Sequence, residues 1–229
     1  MDTKRLLDLA LTLPALPVVA PLVGALAVAV KLDSKGPAFF AQTRVGQGRR
    51  PLKLYKLRSM VDGADRKGPA VTSGGDPRVT RLGRLLRKTK LDELPQLFNV
   101  VLGDMSLVGP RPEAPRYVER YRPEWEPLLE VRPGITDLAS LVFRDEEAVL
   151  APARDKERAY VEAVLPAKLS VALEGVRSSS VLYDLGILAR TAAAVLKLPG
   201  RAEHPAVEQA RAGWCCRCWR CHARRAPYR

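Results

Sequence analysis

The chain has 229 residues, of which 47% are hydrophobic, enough for a globular domain with a real core and too many for a disordered chain. The formal net charge of +13 points to an anionic partner, which could be nucleic acid, an anionic bilayer or a phosphorylated substrate. All four cysteines lie within residues 215–221, so the body of the chain cannot form disulfides, which fits a reducing cytosol.

The first predicted element is an apolar segment, Leu6 to Val30, in which Asp8 is the one charged residue. As a straight helix it would be about 37 Å long, enough to cross a hydrocarbon core of about 30 Å. Basic residues flank both ends of the segment, and basic residues prefer the cytoplasmic side. The segment also contains three prolines: Pro14, Pro17 and Pro21.

Because an interior proline removes a backbone hydrogen bond, these prolines favour a sharp bend. We therefore predict a re-entrant helix-break-helix over residues 1–32, bent at Pro21, with both ends of the chain in the cytoplasm. The alternative is a single bent helix that crosses the membrane.

Two short strands are predicted near residues 38–58, where PLKLYKL alternates in polarity and VGQGRR supplies the turn glycines. Residues 61–77 are rich in Gly, Asp and Pro, which is typical of a loop. The pattern of the whole chain predicts an α/β fold, mostly helical, with a small β hairpin.

A basic amphipathic helix is predicted over residues 78–90, with most of its basic residues on one face. Its other face would carry the apolar residues Val79, Leu82, Leu85 and Leu86. A second helix is marked by Leu94, Leu97, Phe98 and Val101. Residues 114–130 and 145–198 are predicted to be mainly helical, the latter broken at Pro166 and around residues 178–180.

Two adjacent carboxylates, Asp92 and Glu93, follow the basic run and precede Pro95. One interpretation is a helix start, in which an acid caps free amides and the proline occupies the first turn. The other is functional, because a carboxylate near a helix N-terminus can bind a hard cation or attack an electrophile.

Basic residues supply candidates for binding phosphate. Arg111 lies between Pro110 and Pro112, and a guanidinium held by two stiff residues can clamp a phosphate with two hydrogen bonds. The alternative for this segment is a turn-rich loop. A further basic patch is formed by Arg44, Lys53, Lys56 and Arg58, for which a solvated strand face is the alternative.

Residues 200–229 form a basic tail that we expect to be disordered. Within it, Cys218, Cys221 and His222 have the spacing of a haem-attachment motif, and together with Cys215 they could ligate zinc. The ligands lack the usual paired spacing of zinc sites, so we expect a flexible tail that lies on the membrane.

The order of several motifs resembles the bacterial monotopic phosphoglycosyl transferases, over about residues 4–198. The motifs are GPAFFAQTRVG, LYKLRSM, LDELPQLFNVVLGDMSLVGPRPE and VRPGIT, preceded by Pro21 in an apolar segment. The chain resembles the small form of this family, with a membrane hairpin and a catalytic domain, here residues 33–199.

The resemblance implies that Asp92 is a nucleophile that attacks the sugar-bearing phosphate of a UDP-sugar and releases UMP. The phosphosugar held on Asp92 would then pass to a polyprenyl phosphate. Glu93 would orient or assist Asp92, and Mg²⁺ would bind on the Asp92 side. Arg111 would grip a phosphate, with help from Lys56 and Arg58.

The sequence departs from the family pattern at two places. Ala20 precedes the bend proline where many members have serine, and Asp137 follows VRPGIT where many have glycine. Arg144, in the sequence FRDEE, falls near the place where the family contacts its nucleotide.

The resemblance further implies an enzyme of the cytoplasmic face of the bacterial inner membrane, in contact with anionic lipid and without a nucleic-acid partner. Two other classes remain as alternatives: a membrane-anchored, basic nucleic-acid-binding protein and a structural membrane adaptor.

Overall fold

A computed structural model describes residues 3–64, 75–196 and 205–207. The protein is mostly helical with a small β hairpin, as predicted. The first half of the chain forms five elements: α1 (Thr3–Asp33), β1 (Phe39–Val45), β2 (Pro51–Leu57), α2 (Arg81–Thr89) and α3 (Gln96–Leu102). The middle adds β3 (Ser106–Val108), α4 (Pro115–Val118), α5 (Pro127–Glu130) and β4 (Gly134–Thr136). The C-terminal helices are α6 (Leu138–Val142), α7 (Glu146–Leu150), α8 (Lys156–Ala159), α9 (Leu165–Arg177) and α10 (Val181–Val195).

The apolar segment forms α1, one helix whose helical conformation continues through all three prolines, so the chain does not leave the helix at Pro21 and a bend there stays a prediction. A proline removes a single backbone hydrogen bond and displaces a carbonyl, and a helix can continue past that local loss. Among the described residues, α1 is the helix long and apolar enough to cross a bilayer, with a mean hydropathy of 2.2. Only 11% of its most apolar stretch is buried, unlike the core helix of a soluble domain.

Both ends of α1 contact the rest of the protein. Near its C-terminus, Val23 and Val30 pack with Leu57 of β2 and Leu86 of α2. Near its N-terminus, Asp8 is buried against β3. The helix therefore lies with its two ends against the same folded body.

The predicted hairpin is confirmed as β1 and β2, which pair antiparallel with Phe39 opposite Leu57. Leu52 and Leu54 are buried on one face of β2, and Leu57 is buried on the other face, where it packs against α1 and α2. Because side chains alternate between the two faces of a strand, Lys56 lies on the same face as Leu52 and Leu54 and on the opposite face from Leu57.

The basic helix forms as α2, capped by Thr80, whose hydroxyl accepts a hydrogen bond from the Gly83 N–H at 2.9 Å. Its predicted faces are only partly correct. Leu86 is buried, but Leu85 is 55% exposed, because it lies on the outer face of the helix. Arg87, assigned to the basic face, instead turns inward and donates to the Ser59 hydroxyl at 2.9 Å.

The strands β3 and β4 pair in parallel and were not predicted, because each has only three residues. Gly109 and Gly134 lie against each other beside this pair. A Cβ at Gly134 would lie 2.1 Å from the Gly109 nitrogen, and a Cβ at Gly109 would lie 2.6 Å from the Arg132 carbonyl oxygen. Two close-approaching glycines therefore bring the segment that contains Arg111 against β4.

The C-terminal helices enclose the largest apolar cluster, which includes Trp125, Leu150, Val164 and Leu169. The predicted break around residues 178–180 is seen, since α9 ends at Arg177 and the Ser180 hydroxyl caps α10. The predicted break at Pro166 is not seen. A π-helical turn, Tyr160–Val164, leads directly into α9, so the helix continues past Pro166, which lies in the first turn of α9.

The predicted tail falls almost wholly outside the described residues, including the cysteines considered for zinc or haem. Residues 205–207 are described, and Ala206 is buried against the largest apolar cluster.

Gly83 is expected to be essential for the packing of α2. A Cβ at this position would lie 2.0 Å from the Ser59 carbonyl oxygen, a backbone atom that cannot move alone. Gly83→Ala should therefore destabilise the protein by about 1–3 kcal/mol. Gly186→Ala in α10 is the matched control, because nothing lies within 4 Å of its Cβ. The control should gain about 0.5–1 kcal/mol. Urea unfolding in detergent measures both, and equal effects would contradict this packing.

Candidate active site

Asp92 and Glu93 lie in a 3₁₀ turn, Leu91–Glu93, between α2 and α3. Lys90 precedes the turn in the left-handed conformation, with φ 59°, and its N–H donates to carbonyls in the last turn of α2. A non-glycine residue in this conformation costs roughly 1 kcal/mol, and such strain is concentrated at functional sites. Neither acid caps α3, whose N-cap is Pro95, so the helix-start interpretation is not supported.

Glu93 is the centre of a partly buried ion triad with Arg111 and Lys56. Arg111 donates to both carboxylate oxygens, one bond measuring 3.2 Å, and the Lys56 ammonium lies 3.3 Å from Oε1. Burial alone would raise the pKa of Glu93, but the charges of Arg111 and Lys56 outweigh it and hold that pKa well below its usual range. Glu93 is therefore an anion that holds two cations in place.

The two cations of the triad respond differently to their surroundings. The charge of Glu93 raises the pKa of Arg111, while burial lowers the pKa of Lys56 despite the same neighbour. The Arg111 side chain remains 32% exposed, so it can meet a second anion from solvent while bonded to Glu93.

Asp92 has the features of a reactive carboxyl. It is 7% exposed, and its Oδ1 is buried without a hydrogen-bond partner. Burial and the adjacent Glu93 raise its pKa, and Lys56, Arg87 and Lys90 act against that rise. A carboxylate oxygen without a partner in a native structure calls for an explanation, and a functional role is one.

The donor set around Asp92 fits the magnesium implied by the resemblance. In the described ranges, no group of three or more His, Cys, Asp or Glu side chains could hold an ion without help. Mg²⁺ is usually bound by one or two carboxylates together with substrate phosphates and water. The free oxygen of Asp92 can supply the one carboxylate ligand that such a site requires.

Arg58 is placed away from this group of residues. Its guanidinium is buried and donates to the carbonyls of Ser34 and Lys35, just beyond the end of α1. A cation there offsets the negative end of the helix dipole. The structure thus brings Lys56 to Glu93 and leaves Arg58 to join α1 to β2.

The other predicted positions also lie outside the triad. Arg144 is exposed in the turn between α6 and α7, and Pro21 is in the middle of α1. Asp137 caps α6 by accepting from the Ser140 N–H at 2.7 Å, and its second oxygen is buried without a partner.

Arg87 and Lys90 are functional candidates that the sequence pattern did not single out. The positive charge of each opposes the overall rise in the pKa of Asp92. In the sequence they are two of several basic residues in the predicted basic helix, and their spacing does not distinguish them from Arg84 or Lys88. Arg87 differs from the exposed basic residues of this helix only by its tertiary contact with Ser59.

A second charged network supports the segment that carries Arg111. The Glu113 carboxylate accepts from the Tyr160 hydroxyl at 2.8 Å and lies 3.6–3.7 Å from Lys168 and Arg44. Lys168 also pairs with Glu146 at 2.7 Å. Because Glu113 is two residues from Arg111, these contacts fix the base of its loop.

Comparison with known protein sequences identifies the proteins that this chain resembles. A family model described as bacterial sugar transferase matches residues 1–198. The chain is 45% identical over 142 residues to the UDP-N-acetylgalactosamine-undecaprenyl-phosphate N-acetylgalactosaminephosphotransferase of Aeromonas hydrophila, covering 61% of this chain and 34% of that protein. It is 40% identical over 189 residues to the UDP-glucose:undecaprenyl-phosphate glucose-1-phosphate transferase of Escherichia coli, covering 81% of this chain and 38% of that protein.

A protein of Caulobacter vibrioides with the same name as the E. coli enzyme is 47% identical over 141 residues, covering 60% of this chain and 53% of the relative. The chain thus matches between a third and about half of the length of these relatives.

Proposed function

The chain belongs to the bacterial sugar transferase family, and we propose that it transfers a sugar-1-phosphate from a UDP-sugar to a membrane polyprenyl phosphate and releases UMP. The names of its relatives support this donor and acceptor class, since they specify UDP-glucose or UDP-N-acetylgalactosamine and undecaprenyl phosphate. The product would be the first membrane-bound intermediate of a bacterial glycan. The family match favours this function over the nucleic-acid-binding and adaptor alternatives.

In the proposed first step, a carboxylate oxygen of Asp92 attacks the phosphorus that carries the sugar. A bond forms between that oxygen and phosphorus, the bond to the leaving UMP oxygen breaks, and a phosphosugar remains on Asp92. The burial of Asp92 supports this role, because a partly desolvated anion with a free oxygen is poised to react.

Cations are needed because an anionic nucleophile must approach an anionic diphosphate. Arg111 is held by Glu93 and remains partly exposed, so it can grip a donor phosphate in a fixed position. Lys56 adds positive charge on the same carboxylate. Phosphoryl transfer depends mainly on positioning and charge stabilisation, which this arrangement supplies.

Magnesium would be held by Asp92 and the donor phosphates, and it would neutralise charge on the diphosphate. Glu93 would keep Arg111 and Lys56 in place rather than act as a free base, because its charge is already neutralised by both.

In the proposed second step, a phosphate oxygen of the polyprenyl acceptor attacks the same phosphorus. The bond to Asp92 breaks, and the carboxylate is regenerated. The reaction would occur on the cytoplasmic face of the inner membrane, with both termini in the cytoplasm. The contacts of both α1 ends with one folded body support that topology, since a crossing helix would separate its ends by about 30 Å of hydrocarbon. Basic residues on the body would favour anionic lipid.

The observation that carries the proposal is the buried, unpartnered oxygen of Asp92 beside the Glu93–Arg111–Lys56 triad in a chain of this family. The test is UMP release by the purified full chain with Mg²⁺, undecaprenyl phosphate and a panel of UDP-sugars. We expect release with at least one sugar of the panel and loss of release when the metal is chelated. Release that persists without metal would contradict the proposed magnesium role, and no release with any donor would contradict the proposed function.

A further inference from the structure

The N-terminal end of α1 carries a charged residue that the proposed chemistry does not use. Asp8 is 3% exposed, although it lies in a helix that is otherwise uncharged from Leu6 to Val30. Its Oδ1 accepts two hydrogen bonds, from the Leu107 N–H at 3.0 Å and from the Ser106 hydroxyl at 3.1 Å. Both donors belong to β3, so this single carboxylate oxygen fastens α1 to that strand.

Two basic residues fasten the same end of α1 to other elements. The Lys4 ammonium pairs with the buried Asp184 of α10. The Arg5 guanidinium donates to the carbonyls of Val100 and Val101, the latter at 2.8 Å. These carbonyls lie in the last turn of α3, where helix carbonyls lack internal partners and favour a cation. We refer to Lys4, Arg5 and Asp8 together as the N-terminal latch.

The elements held by the latch are the ones that lead to and from the site. The helix α3 begins at Gln96, three residues after Glu93, and β3 ends at Val108, three residues before Arg111. A shift of α1 relative to α3 or β3 would therefore change the position of the site relative to the membrane helix.

Polar contacts are suited to this task, because apolar contacts fix the position of a membrane helix poorly. Lipid chains are as apolar as leucine, so a helix in a bilayer can slide or rotate with little change in hydrophobic energy. A buried carboxylate, in contrast, must find its donors, and displacement would leave it buried and unpaired. Asp8 therefore specifies one register of α1 on β3.

We propose that the N-terminal latch sets the depth of the active site relative to the bilayer and so positions it for the lipid acceptor. This inference rests on the proposed function. The donor arrives from water, so its access requires only that the site stays open to the aqueous side. The acceptor phosphate is confined to the headgroup level, so transfer from Asp92 to that phosphate requires the site at the same height. Asp8 is in this sense a positioning residue, acting through β3.

The test separates the two half-reactions of the full-length protein in nanodiscs. Without acceptor, the burst of UMP measures formation of the phosphosugar on Asp92. With undecaprenyl phosphate, lipid-linked product measures its transfer. For Asp8→Leu we expect the burst to persist and product formation to fall by about tenfold or more, because small misplacements of reacting groups are costly. Asp8→Asn keeps an oxygen acceptor for the β3 donors and should recover most of the transfer.

A matched control and a charge exchange complete the experiment. Leu13→Ala alters an exposed apolar residue of the same helix and should change neither half-reaction. Lys4→Asp should slow transfer, and combining it with Asp184→Lys should restore it, which tests the latch even if Asp8→Leu fails to fold. Equal slowing of both half-reactions, or slowing of neither, would overturn the inference. A wild-type protein that releases no UMP with or without acceptor would instead overturn the proposed function itself.

Discussion

Asp92→Asn is expected to abolish UMP release, with a loss of at least about 10³-fold, because the substitution removes the attacking oxygen's charge and leaves every neighbouring group in place. Asparagine has the same shape, so the 3₁₀ turn and the Glu93 triad should persist. The measurement is UMP release with the best donor of the panel, together with mass spectrometry of the protein after donor alone. The wild type should gain the mass of a phosphosugar, and the variant should not.

The same substitution is expected to leave the stability of the protein unchanged or increased at neutral pH. Burial raises the pKa of Asp92, so the folded state holds this proton more tightly than the unfolded state. Stability linked to Asp92 is therefore present at low pH and lost as pH rises through the folded pKa, whereas asparagine cannot ionise. Asp104→Asn, an exposed acid beyond α3, is the control for activity and should release UMP normally. Normal turnover by pure Asp92→Asn would exclude the covalent mechanism.

Glu93→Gln is expected to lower both stability and turnover, because it leaves the partly buried cations Arg111 and Lys56 without their shared anion. Removing one member of a fully buried pair typically costs 3–5 kcal/mol, and we expect about 2 kcal/mol here because Arg111 is 32% exposed. Turnover should fall by roughly 10²-fold, because Arg111 loses the contact that fixes its position. Urea unfolding and UMP release measure the two effects.

The stability effect of Glu93→Gln should depend on pH. The cations hold the pKa of Glu93 below its usual range, so its contribution is present above the usual glutamate pKa and lost as pH falls through the folded pKa. The difference between wild type and variant should therefore shrink in acid. Glu126→Gln is the matched control, because Glu126 pairs with Arg49 at the exposed surface, where an ion pair contributes little. Equal destabilisation by the two variants would contradict a structural role for the triad.

Local patterns predicted the parts of the fold that depend on neighbouring residues. The hairpin follows from alternation around a glycine turn, and the end of α9 and start of α10 follow from a serine cluster that supplies a cap. Elements fixed by distant contacts were missed. The three-residue strands β3 and β4 exist because Gly109 and Gly134 allow two backbones to approach, and no local period marks that approach.

The candidate site shows the same division. Asp92, Glu93 and Arg111 were selected by motif, and Lys56 with them, and the structure brings Glu93, Lys56 and Arg111 into direct contact beside Asp92. Arg58 belongs to the same motif as Lys56, but it is used where α1 meets β2, because the chain leaves the strand after Leu57. The sequence motif could indicate that both Lys56 and Arg58 have a role. Only the tertiary fold shows that one cation lies at the candidate site and the other binds the end of a helix.

The way in which α1 is built into the body limits how this protein can be shortened. Val23 and Val30 complete a core with Leu57 and Leu86, so α1 is part of the folded unit as well as its anchor. A version that begins after Asp33 would expose those leucines and would leave the buried guanidinium of Arg58 without the Val30 carbonyl. Removing the anchor to obtain a water-soluble enzyme should therefore yield an aggregating protein. Detergent or nanodisc preparations of the intact chain are the appropriate material for inhibitor screening.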